Sequence, residues 1–335
     1  MLSYQLPTIE YLRLRFHLSA QRDCTLPAWK GSLIRGAFGH ALRRTVCTMN
    51  SGQHCRDCLL KSQCAYTRLF ETFVTEPRPP MLKGLLDSPR PFIFEPSDEN
   101  KNYQPGNVLW FDMILIGNII QYLPYIVFAI YQMGKTGMGR NRYPFDLMQA
   151  FCWQFTLDKK KQKALNNNQS LSWKLIYDGE TQRILFQPET LSLRPSIEEG
   201  ENFSSGKIKF LTQTRLRVNN RLIAAFNFRE LVFKMLRRIL ELAHFYMPGK
   251  EINWEFHDLL AAARAIKIVN KNLSWSDLGR YSNRQQTKMK MGGFIGDITV
   301  QGNLNPFYDV FRFAEVLHVG KGATFGLGKC LIERG

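Results

Sequence analysis

Phe313-Ala-Glu-Val-Leu-His318-Val-Gly320-Lys321-Gly322-Ala-Thr-Phe-Gly326-Leu-Gly328-Lys329-Cys330-Leu-Ile-Glu333, at the end of the chain, is the stretch on which the reading of the fold turns. It reads as a helix end, a loop with four glycines and two lysines, and a short apolar strand. Glycines this closely spaced let backbone N–H groups approach an anion, because no Cβ stands in the way. A tight turn with solvated lysines has the same composition, and the loop alone leaves both readings open. Familiar phosphate loops do not fit. The dinucleotide fingerprint fails because Gly326 comes one residue late after Gly322. A Walker A loop would need glycine at Ala323, Ser or Thr at Cys330, and a helix afterwards.

The loop has an upstream relative. Phe128-Ala-Ile-Tyr-Gln-Met-Gly134-Lys135-Thr-Gly137-Met-Gly139-Arg140-Asn-Arg142 repeats the order Phe-Ala, Gly-Lys, Gly-x-Gly and a base. An internal repeat of roughly 185 residues predicts two copies of one domain, each closing with a glycine-rich basic loop.

A chain of 335 residues is long enough for two cores. Its 45 Lys+Arg against 28 Asp+Glu leave a net charge of +17, and the pI is about 9.7. Such an excess favours a polyanionic partner, nucleic acid before an anionic membrane. No apolar run approaches the ~18 residues of a membrane span. Met1-Leu-Ser-Tyr-Gln-Leu-Pro7 lacks the basic and apolar regions of a signal peptide, so a cytoplasmic protein is expected. Seven cysteines, an odd number, argue for thiols or a metal rather than a disulfide framework.

Residues 9–18 alternate, with Arg13, Arg15 and His17 on one side and Leu12, Leu14, Phe16 and Leu18 on the other: a strand with one buried face. Pro27 and Trp29 open a helix through Cys47. Its apolar stripe is Leu33, Ile34, Ala37, Phe38, Ala41 and Leu42; its other face carries Lys30, Arg35, His40, Arg43 and Arg44 without an acid. A solvated face normally mixes signs, so this one reads as aimed at phosphates, with a merely solvated basic face as the alternative. Four cysteines follow, Cys47, Cys55, Cys58 and Cys64, with seven, two and five residues between them. The central C-x-x-C suits a tetrahedral ion, and a closed four-thiolate set would be a structural zinc site; an iron–sulfur cluster is the alternative. Cys24, Cys152 and Cys330 read as small apolar core residues.

Further along, Val108–Leu115 reads as a strand and 118–133 as a helix. The Lys- and Asn-rich residues 158–170 read as a linker or a long surface turn, and Asp178-Gly179 marks a hairpin. Residues 207–219 predict a strand with Lys207, Lys209, Arg215 and Arg217. Residues 228–246, 256–270 and 307–317 predict helices, and 294–300 a strand. The order strand–helix–strand–strand–helix–strand in each half points to an α+β protein of tandem ferredoxin-like, RRM-like domains. The expected boundaries are 1–157, with a cysteine-rich metal-binding insertion at about 47–64, the linker 158–170, and 171–335.

These residues resemble the CRISPR-associated RAMP endoribonucleases that cut repeat transcripts into guide RNAs, the Cas family numbered six. Gly292-Gly-Phe294-Ile-Gly296-Asp-Ile-Thr-Val-Gln-Gly302-Asn-Leu304-Asn-Pro306-Phe307, continuing through Val319–Lys329, is similar to the family's C-terminal signature. Arg280-Tyr-Ser-Asn-Arg284-Gln285, Lys30-Gly-Ser-Leu-Ile-Arg-Gly-Ala-Phe-Gly39, and Tyr66 before Leu69-Phe70-Glu71 resemble one branch of it. The resemblance implies metal-independent cleavage in which the RNA's own 2′-hydroxyl attacks the adjacent phosphate, leaving 2′,3′-cyclic phosphate and 5′-hydroxyl ends, with no catalytic cofactor. It implies His40 as catalytic histidine, with Lys30 and Arg44 stabilising the phosphorane; His318 and His17 are the second and third choices. The RNA-binding set it suggests is Arg35, Arg43, Lys135, Arg140, Arg142, Arg215, Arg217, Arg280, Arg284, Gly320, Lys321, Gly322, Gly326, Gly328 and Lys329. The implied partners are CRISPR repeat RNA, its guide RNA product and effector-complex subunits, for a monomer or homodimer. A non-cutting RNA-binding subunit of the same superfamily is the alternative, and a structural metal protein with a nonspecific basic surface the third reading.

Overall fold

The computed structural model describes the chain apart from residues 1–3, 50–52, 75–78, 84, 97–98, 158–168, 196–202, 219–220, 224 and 283–286. Two compact units form: one from Glu10–Phe73 and Arg90–Ser192, the other from Met1–Ile9, Val74–Pro89 and Leu193–Gly335.

The first unit runs β1 (Ile9–Ala20), α1 (Gly31–Val46), β2 (Phe92–Pro96), β3 (Val108–Ile116), α2 (Leu123–Thr136) and β4 (Phe145–Leu157). Its neighbours in the sheet are antiparallel, in the order β2-β3-β1-β4. That is the ferredoxin-like arrangement, a βαββαβ chain whose first and third strands are central. The alternation read in β1 decides its orientation, because Leu12, Leu14, Phe16 and Leu18 are all buried. α1 lays Ile34, Phe38, Ala41 and Leu42 onto that face. The Phe38 ring meets Phe92 and Phe94 edge-on at 5.8 and 5.3 Å, as aromatic quadrupoles prefer.

A further strand, β5 (Gln169–Asp178), pairs antiparallel with β4 from Leu157↔Gln169 to Gln149↔Asp178. This corrects the expected boundary. Residues 158–168 lie outside the described residues, but the segment joins two strands of one sheet rather than two domains. The first unit continues through the hairpin after Asp178 to Ser192. A lysine- and asparagine-rich stretch reads the same in a long hairpin loop as in a linker, and the sequence does not separate them.

The second unit repeats the plan: β6 (Ser205–Thr214), α3 (Phe228–Tyr246), β7 (Lys267–Ser276), β8 (Gly293–Gln301), α4 (Tyr308–Leu317) and β9 (Cys330–Arg334), in sheet order β7-β8-β6-β9. α3 starts with a capping box: Asn227 Oδ1 accepts from Glu230 N, and Glu230 Oε2 accepts from Asn227 N, both at 2.9 Å. The helix expected at 256–270 is shorter. It runs from His257 to Ala262, adds one 3₁₀ turn, and gives way to β7. β7 is an edge strand with most of its side chains exposed, so it lacks the apolar alternation that would have identified it.

Candidate active site and nucleic-acid interface

α1 presents a mixed surface. His40 is exposed, and Arg44, four residues later, is exposed on the same face. Gly36, one turn before His40, has nothing within 4 Å of where a Cβ would stand, so the helix surface beside the imidazole is bare. The strip Gly36–His40–Arg44 can lay a phosphodiester against a base and a cation.

Lys30 does not join it. It is fully buried, its Nζ donates to the Ala28 carbonyl at 3.3 Å, and it lies 5.6 Å from the Tyr103 ring centroid. The phosphorane-stabilising role expected of Lys30 is therefore withdrawn; its work is done inside the fold. Arg35 and Arg43 are also turned inward. Arg35 stacks on Phe70 at 4.4 Å. Arg43 lies over Tyr66 at 5.9 Å and donates from Nη2 to the Gln53 carbonyl. Their guanidinium planes hold the segment after α1 rather than point at a strand of RNA. Gly39 is the contact point: a Cβ there would come within 2.3 Å of the Phe70 ring.

The second and third candidate histidines are occupied. His318 is buried at φ 60° with Nδ1 3.1 Å from the Leu327 carbonyl, which pins the end of α4 to the glycine loop. His17 packs on Phe151 at 5.1 Å, and burial, reinforced by Arg15 and opposed by Asp112, holds its pKa below the usual histidine range.

Both glycine loops connect the second helix of a ferredoxin-like unit to its last strand, which accounts for the sequence repeat. They are not alike in detail, because Gly134 and Lys135 still belong to α2. Lys135 pairs with Asp146 at 2.7 Å, and that bond raises its pKa. Its charge is thus matched within the fold, whereas Arg140 and Arg142 are exposed.

In the terminal loop Gly320, Gly322, Gly326 and Gly328 all take positive φ. At Gly328 a Cβ would stand 1.8 Å from the Val319 carbonyl oxygen, so only glycine closes this turn. Several of the loop's N–H groups, however, are spent inside. Lys321 N donates to Arg215 O (3.0 Å), Gly328 N to Gln213 O (3.2 Å) and Lys329 N to Thr212 Oγ1 (2.9 Å). Those of Phe325, Gly326 and Leu327 close on Gly322 and Ala323. These bonds brace the loop as a scaffold that holds cations. Lys321 stands near Arg217 and Arg215, and its pKa is lowered by burial and then by those two guanidiniums. Three mutually repelling cations make a local site for an anion. Arg280 lies on the strand Gly279–Ser282, opposite Met289. Arg284 lies outside the described residues.

One constellation escaped the sequence. Arg15 is held between Trp110 and Trp173 at 4.0 and 4.2 Å, and Trp173 leans on Trp153 at 5.1 Å. Buried Asp112 accepts from both Arg15 and Arg13, and buried Glu95 from Arg13. The basic face read into β1 is thus neutralised by acids from β2 and β3. Single-strand patterning could not show this, because both acids interrupt otherwise apolar strands.

Cys47, Cys55, Cys58 and Cys64 line one cavity of about 150 Å³. Among the described residues no three groups already stand at metal-binding geometry. Cys24, Cys152 and Cys330 are buried, with their thiol pKa values raised chiefly by burial, that of Cys152 to about 12. No described helix is long and apolar enough to cross a membrane.

The chain is thus a basic, two-unit ferredoxin-like protein with an exposed histidine–arginine helix face. Residues 6–184 match the family model described as the N-terminal domain AF_1859_N, and residues 208–330 match that of the CRISPR-associated endoribonuclease Cas6. The first of these models spans more than half of the chain, which belongs to that family, and the C-terminal part is Cas6-like. An Archaeoglobus fulgidus protein described as uncharacterized is 23% identical over 247 residues, 70% of this chain and 73% of that one. The Thermus thermophilus Cas6 product complex aligns with TM-score 0.52 at 12% identity, covering 96% of this chain and 100% of that one. A partial Cas6–RT–Cas1–Cas2 complex aligns with TM-score 0.54 at 13% identity, covering 98% of this chain and 47% of the longer one.

Proposed function

We propose that this protein cuts CRISPR repeat RNA within the strand to release guide RNA, by a metal-independent attack of the RNA's own 2′-hydroxyl. The observation that carries the reading is the exposed pair His40 and Arg44, one helical turn apart beside bare Gly36, in a chain whose residues 208–330 match the Cas6 model. His40 takes the proton from the 2′-hydroxyl as its oxygen bonds to phosphorus. Arg44 neutralises the charge that grows on the phosphorane, and the bond to the 5′-oxygen breaks as that oxygen gains a proton from solvent. The products are a 2′,3′-cyclic phosphate and a 5′-hydroxyl. Lys321, Arg215 and Arg217 bind the backbone, with Arg140 and Arg142 as further exposed cations.

His40→Ala tests this directly. The expected outcome is cleavage of repeat RNA reduced by ~10²-fold or more, the scale of general-base catalysis, with binding retained in a gel-shift assay. A mutant that cuts at the wild-type rate would remove His40 from the mechanism. Tight repeat binding by a wild-type protein that never cuts would instead support a non-cutting subunit of a CRISPR effector complex.

A further inference from the structure

We infer that Cys47, Cys55, Cys58 and Cys64 hold a single zinc ion as a closed four-thiolate site that staples the end of α1 to the turn beneath it. The first observation is convergence: four thiols from four separate points of an 18-residue segment line one cavity of about 150 Å³. The second is that the knuckle around the C-x-x-C buries little apolar surface of its own. The 3₁₀ turn Cys55–Asp57 buries none of its residues, and Leu59 and Leu60 of the same knuckle are 90% and 49% exposed. Thiols that turn inward where leucines turn outward are not there as hydrophobes.

Local geometry suits the ligand set. Cys58 N donates to Cys55 O, closing the C-x-x-C knuckle that presents two sulfurs to one point. Cys47 caps α1, its N–H bonded to the Arg43 carbonyl, and the Cys64 carbonyl accepts from Arg68 N at the start of the next helical turn. No carboxylate lines the cavity, which favours a thiophilic ion over magnesium or calcium. The sulfurs do not yet stand at ligating separations. Binding draws them in to a Zn–S distance of ~2.3 Å. The turn fixed in this way, Thr67–Glu71, carries Phe70, the ring packed on Gly39 next to His40. The inference does not depend on RNA cleavage.

The test is metal content and spectroscopy on the full chain. Elemental analysis of protein purified without chelator should give one zinc per chain, and exchange with cobalt(II) should give the absorption of tetrahedral thiolate coordination. Titration with an organomercurial should release the zinc as four thiols react. Cys55→Ser with Cys58→Ser should abolish both signals, while Cys152→Ser leaves them intact; should the double variant not fold, the wild-type cobalt spectrum still decides. Zinc at background level with no tetrahedral cobalt spectrum would overturn the proposal, as would iron and sulfide in stoichiometric amounts.

Discussion

At the scale of single residues, Arg44 and Lys30 sit at opposite ends of α1 and face opposite fates. Arg44 is exposed one turn beyond His40, so Arg44→Ala should lower the cleavage rate by ~10-fold or more in single-turnover kinetics while the protein melts at an unchanged temperature. Lys30 is buried against Tyr103, so Lys30→Ala should leave cleavage by the folded fraction unchanged. Its cost should appear instead as ~2–3 kcal/mol of stability in denaturant titrations. Nothing in the sequence separates the two, because a lysine at a helix start and an arginine at its end both read as solvated. Burial under a ring contributed by a strand some seventy residues away is a tertiary fact. For Lys321, whose neighbours Arg215 and Arg217 repel it, substitution by Ala should weaken binding to repeat and unrelated RNA alike. The slope of log K against log salt should flatten by about one unit.

At the scale of elements, the interfaces around α1 and β1 govern the first unit. Gly39→Ala drives a methyl into the Phe70 ring and should cost ~1–3 kcal/mol, read by thermal unfolding. Asp112 is buried between two arginines, and Asp112→Asn should cost ~1–3 kcal/mol by taking the carboxylate from Arg15, while Arg13 keeps Glu95. His17 carries a pH dependence whose sign follows from its depressed pKa. The folded state resists protonation while the unfolded chain takes up a proton near pH 6.5, so stability falls as pH drops below that value. His17→Phe should remove that part of the acid sensitivity. Element by element, the sequence was read best where one face is apolar. The helix expected at 228–246 is α3 itself, and that expected at 307–317 is α4 to within a residue. It was read worst at β7, an edge strand whose outward side chains obey no alternation.

At the scale of the molecule, the repeat of the glycine loops was legible because both occupy the same station in the fold, between second helix and last strand. The reason for the glycines was not legible. Several backbone amides are consumed in closing the loop, and the charge is delivered by the side chains of Arg215 and Arg217, which follow β6, and of Lys321 in the loop. The boundary between units was missed because chain order and sheet membership part company after β4: β5 adds to the sheet that precedes it. The His40 assignment came from family resemblance, and the structure adds its exposure and its neighbour. The most direct test of the account is cleavage of the cognate repeat RNA in EDTA, with a matched RNA carrying a single 2′-deoxy nucleotide upstream of the mapped cut. The account predicts efficient cutting of the first, with a cyclic phosphate on the product, and none of the second. Cleavage of the 2′-deoxy RNA, or activity that vanishes in EDTA and returns with a divalent ion, would contradict it.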